Sequence, residues 1–165
     1  MENQTVEYKL PVDTIDLTPI YSTKNHAYIL SDSGKIFVYD KNFHYKEYSP
    51  FEGISNQATI YKEERGPLFI DSNQALFSIN SNDQGSMLGI MTFKPKPNFR
   101  PIKKDYLKTD SHYRFLYQDI ERKEIYLLKI NEEKESLLVI DNHAFNLKAE
   151  IPVENSHLID FVVKN

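Results

Sequence analysis

Cysteine is absent from the 165 residues, which excludes disulfides, thiolate metal sites and thiol nucleophiles together. Its absence fits a reducing cytosol. Tryptophan is missing too, and the five glycines leave little backbone for cradling a phosphate. Walker, dinucleotide-binding and G-x-S-x-G motifs do not occur. No apolar run approaches the roughly 18 residues of a membrane span. The opening MENQTVEYKLPVDTID has neither the basic start nor the apolar core of a secretory signal, so the expectation is a soluble, cytoplasmic protein. Nor does either sign of charge dominate. With 24 acidic and 20 basic residues the formal charge is −4, a field that mildly repels nucleic acid and anionic lipid and favours a protein or small-molecule partner.

What is present is aromatic and β-branched. The chain is 40% hydrophobic, with 11 Tyr and 10 Phe, a composition suited to pleated, half-buried strands in one domain. The stretch His26 to Pro50, HAYILSDSGKIFVYDKNFHYKEYSP, holds two apolar runs turned on Ser31-Asp32-Ser33-Gly34 and a third after Lys41-Asn42. Gly34 can supply the positive φ of a tight hairpin turn. The motif recurs at an offset of 40 residues, where Ile29, Leu30, Ile36, Phe37, Tyr39 and Asp40 fall on Phe69, Ile70, Leu76, Phe77, Ile79 and Asn80. A looser third copy, SLLVIDNHAFNLKAEIPV, matches Val38, Asp40 and Pro50 with Val139, Asp141 and Pro152, and Phe43 with Phe145 after a one-residue insertion.

Strands are predicted over 5–10, 12–21, 27–30, 35–39, 44–48, 58–62, 68–70, 75–80, 87–93, 113–118, 124–130, 137–141, 147–153 and 157–163. The alternation in 87–93 indicates burial on both faces. Lys94 to Lys104, with three prolines and five basic residues, reads as a loop or an extended connector rather than a ladder strand. Three repeat units follow, over 26–66, 67–93 and 124–163, with 94–104 inserted. The fold class is all-β, built of antiparallel meanders. The near-40 spacing and the rhythm of apolar strand, Asp-Ser-Gly turn and closing Val-Tyr-Asp strand resemble blades of the β-propeller superfamily, without the signature pairs of WD or kelch repeats. That resemblance implies a partial or small propeller-like array. A β-sandwich or barrel is the alternative.

Chemistry is sparse. The five histidines, at 26, 44, 112, 143 and 157, show no metal-ligand spacing, and Asp141-Asn142-His143 sits where the first unit has a turn. Asp32-Ser33-Gly34 and Asp71-Ser72-Asn73 lack the spacing of a calcium loop and read as Asx turns. The basic stretch 94–104 reads as a solvated loop rather than a nucleic-acid site. Neither a catalytic set, a metal nor a cofactor is expected.

The candidate binding residues are aromatic and acidic side chains in connections: Tyr45, Tyr48, Phe51, Glu52, Glu63, Glu64, Phe99 and Tyr106. Edge aromatics capping a sheet are the competing explanation for each. The favoured function is a non-catalytic protein-binding module. In overall character the chain resembles bacterial immunity proteins, which implies an inhibitor of a cognate toxin such as a basic nuclease. The alternative is a small-ligand or carbohydrate-binding, or hydrolytic, propeller-like domain with Asp32 or Asp71 in its site.

Overall fold

A computed structural model describes residues 17–31, 33–54, 58–60, 67–81, 84–131 and 134–153. The strands expected over 5–10, in the first part of 12–21 and over 157–163 lie outside them. Among the described residues thirteen strands form three antiparallel sheets, and none of these residues is helical. Among the described residues no helix is long and apolar enough to cross a membrane.

Sheet one is the meander β1 (Leu17–Ser22), β2 (His26–Ser31), β3 (Ile36–Asp40) and β4 (Tyr45–Tyr48). Sheet two runs in the order β5 (Ala58–Ile60), β7 (Gln74–Ser81), β8 (Gly85–Thr92) and β9 (Asn98–Pro101). The two-residue β6 (Leu68–Phe69) also pairs with β7. Sheet three is the meander β10 (His112–Asp119), β11 (Glu124–Ile130), β12 (Glu135–Asp141) and β13 (Leu147–Val153).

Turn chemistry explains why the chain reverses where it does. Between β2 and β3 the Gly34 N–H donates to the Ser31 carbonyl at 3.0 Å, with φ of 77° at Gly34. Between β3 and β4 the Asp40 carboxylate accepts the N–H groups of Asn42 and His44 at 2.8 and 3.0 Å. The chain then passes through Phe43 at φ 64°. Between β12 and β13 the same device recurs, with Asp141 accepting from His143, Ala144 and Asn146, and Phe145 at φ 56°. The match of Asp40 with Asp141 and of Phe43 with Phe145 is therefore one turn built twice. Asp71 likewise accepts from the N–H groups of Asn73 and Gln74, as an Asx turn does.

Two expectations need correcting. Lys94 to Lys104 is not wholly loop, because Asn98, Phe99, Arg100 and Pro101 pair with Thr92, Met91, Ile90 and Gly89 as β9. An edge strand leaves one row of N–H groups outside the ladder, which is why a terminal proline is tolerated there. The sheets also begin one strand earlier than the sequence copies, and what looked like an insertion completes sheet two.

Sheet two is the middle layer. Ala75, Phe77, Ile79, Met91 and Phe93 pack with Ile20, Tyr28, Leu30 and Ile36 of sheet one. From its opposite face Leu76, Leu88 and Ile90 join Tyr113, Phe115, Ile125, Leu127, Leu138 and Ile140 of sheet three. Alternate residues of β7 and β8 thus enter different cores, as a strand buried on both faces requires.

Candidate functional site

The register of sheet one sets side chains in rows. On the face turned toward sheet two, Tyr28 stands opposite Val38, and Val38 opposite Lys46; His26 stands opposite Asp40, and Ile36 opposite Tyr48. Deep in the sheet these rows are core. At the rim, where His44 follows the turn and the Lys94-Pro95 corner after β8 comes alongside, they open into a cleft of about 430 Å³. His26, Tyr28, Val38, Asp40, His44, Tyr45, Lys46, Tyr48, Lys94 and Pro95 line it. Tyr45 belongs by register to the other face, opposite Tyr39, and its ring lies 5.3 Å from that of Tyr39. It lines the cleft from β4, which ends its sheet among the described residues.

The walls are fixed by hydrogen bonds of their own. Lys94 is held to sheet two by a reciprocal pair: its N–H donates to Asn73 Oδ1 at 2.8 Å, and Asn73 Nδ2 donates to its carbonyl at 3.4 Å. Asp40 Oδ2 lies 3.5 Å from His44 Nδ1. Desolvation pulls the Asp40 pKa upward, but the N–H groups of Asn42 and His44 and the nearby imidazole overcome it and hold the carboxyl below its ordinary range. A carboxylate so satisfied is a structural anion and a poor general acid. Tyr28 forms part of the floor, its hydroxyl pKa raised by burial and by the neighbouring Tyr21 and Tyr48.

The expected binding residues divide. Tyr45, 45% exposed, and the half-buried Tyr48 meet at the cleft, and Glu52 is exposed in the turn that follows β4. Phe51 and Phe99 correct the expectation of exposed loop aromatics. Each is only 3% exposed, and their rings pack 5.1 Å apart in the core between sheets one and two. Phe99 occupies the space left by Gly89, where any Cβ would overlap its ring. Tyr106 is half-buried and donates to the Phe145 carbonyl at 2.7 Å. Burial, with Asp141 and Tyr113 nearby, pushes its pKa up to about 12. Glu63 and Glu64 lie outside the described residues, as does Asp32.

Sequence reasoning passed over His26, Asp40, His44, Lys46 and Lys94 as cleft residues. The first four were accessible in principle. Once the hairpin is registered on its turn, His26 must face Asp40, and His44 follows Asp40 by one turn. Lys94 was not, since it arrives from another sheet.

Among the described residues, most acidic side chains serve local ends: Glu47 pairs with Lys35, Glu124 with Lys148, Glu150 with Lys129 and Asp119 with Arg122, while Asp40, Asp71 and Asp141 close turns. No group of three or more His, Cys, Asp or Glu among them could hold a metal ion. No protein-family model, curated protein or solved structure matches the chain.

Proposed function

We propose that the protein is a non-catalytic protein-binding module, an inhibitor or immunity protein that neutralises a cognate toxin. The three stacked meanders act as propeller-like blades of an open array that presents one rim. The observation that carries this reading is the edge strand β4. There Tyr45 and Tyr48 stand on an exposed strand and run directly into the exposed Glu52. Tyrosine offers large contact area at small entropic cost, and an edge strand offers unpaired backbone groups to a second chain. The exposed Glu52 supplies an acidic side chain beyond β4 that a basic toxin or nuclease would meet. The test is neutralisation. Cells carrying the partner captured by the wild-type protein should survive when they express it and die when they express Tyr45→Ala/Tyr48→Ala. Equal survival with both would remove β4 from the account, and turnover of a substrate by the isolated protein would remove the non-catalytic reading.

The cleft favours a second reading, small-ligand binding. Its volume of about 430 Å³ lies within the usual range for ligand pockets, and polar side chains from two sheets converge on an apolar floor.

A further inference from the structure

We infer that the cleft beside β4 takes a small organic anion, a phosphate or carboxylate carried on a flat apolar ring, in preference to a neutral sugar. The inference rests on the small-ligand reading, in a cleft that shares Tyr45 and Tyr48 with the surface proposed for the protein partner.

The argument begins with charge. Four described lysines are engaged: Lys35 with Glu47 at 2.6 Å, Lys129 with Glu150 at 3.1 Å, Lys148 with Glu124 at 2.9 Å and Lys104 with Asn146 Oδ1 at 2.7 Å. Lys46 and Lys94 have no such partner among the described residues, and both line this cleft. The only carboxylate in that lining is Asp40, already satisfied by two backbone N–H groups and the His44 imidazole. Two lysines lining a shared concavity favour an anion there on a chain whose net charge is −4.

The donor inventory points the same way. Lysine can only donate, each imidazole can donate through a ring nitrogen, and the Tyr48 phenol has a proton to give. A sugar presents as many hydroxyl donors as acceptors and needs carboxylate or amide oxygens in return, which this cleft does not hold in reserve. Phosphate and carboxylate oxygens are acceptors only, and they match. The apolar share of the lining, Tyr28, Val38, Tyr45, Tyr48 and Pro95, offers ring faces and edges to a flat body.

Calorimetry or tyrosine emission can follow titration with phenyl phosphate, with inorganic phosphate and phenyl glucoside alongside. Phenyl phosphate is expected to bind with a Kd below about 1 mM, more tightly than either comparison compound. Lys46→Met and Lys94→Met should each weaken it about tenfold, the loss of one charge-assisted contact. Both lysines are exposed, so the variants should keep the wild-type circular dichroism and melting temperature. Undiminished binding by the folded double variant would overturn the inference, and so would inorganic phosphate binding as tightly as phenyl phosphate. Tighter binding of the glucoside would overturn it while leaving the small-ligand reading standing. Failure of all three compounds would remove both.

Discussion

Gly89 and Phe99 show how narrowly one side chain can depend on the lack of another. A Cβ at position 89 would overlap the Phe99 ring, which is pinned against Phe51, so Gly89→Ala should destabilise by about 1–3 kcal/mol through overpacking. Gly53 has open space around it but φ of 77°, so Gly53→Ala should cost only about 1 kcal/mol of backbone strain. Urea unfolding of the two variants checks the order. Asp141 contributes to acid behaviour. Its N–H donors, against the upward pull of desolvation, leave its folded pKa below the unfolded value. Its contribution is therefore present above the ordinary carboxylate range and disappears as pH falls through the lowered pKa. Asp141→Asn should lower stability at neutral pH and flatten the decline below about pH 5. A melting-temperature profile parallel to wild type would contradict this.

At the scale of strands and turns, the repeated device of Asp and a left-handed Phe makes a sharper prediction. Phe43 is 49% exposed and Phe145 only 8%, although both sit at positive φ in equivalent turns. Glycine relieves the same backbone strain at each site but removes a buried ring only at one. Phe43→Gly should stay within about 1 kcal/mol of wild type, whereas Phe145→Gly should lose about 3–5 kcal/mol. Equal losses on denaturant titration would show that the turns are not equivalent. These hairpins were legible in the sequence because Gly34, Asp40 and Asp141 act on backbone within a few residues of themselves. The strand β9 was obscured by its prolines, whose penalty is lifted only by an edge position that no local pattern reveals. Phe51 and Phe99 escape a local reading for a related reason: only the packing of one sheet on another buries these loop and edge residues.

Across the whole molecule, sheet two belongs to both principal cores, so damage there should reach its neighbours. Phe77→Ala, at a site facing sheet one, should cost about 3–5 kcal/mol. Amide exchange should then quicken in β11 and β12 as well as in β2 and β3; acceleration confined to sheet one would show that the layers unfold separately. The binding cleft is a property of this scale too. Its histidines and Asp40 follow from one hairpin, but Lys94 and Pro95 come from the next sheet, and sequence spacing carries no trace of that approach. Recognition through β4 is the central claim, and another sheet edge among the described residues, β13 with the exposed Leu147 and Ile151, is its natural control. The most direct test is the partner affinity of Tyr45→Ala/Tyr48→Ala beside that of Leu147→Ala/Ile151→Ala, each compared with wild type. We expect the β4 variant to lose at least about tenfold, as interface tyrosines do, and the β13 variant to match wild type; loss confined to β13 would contradict the account.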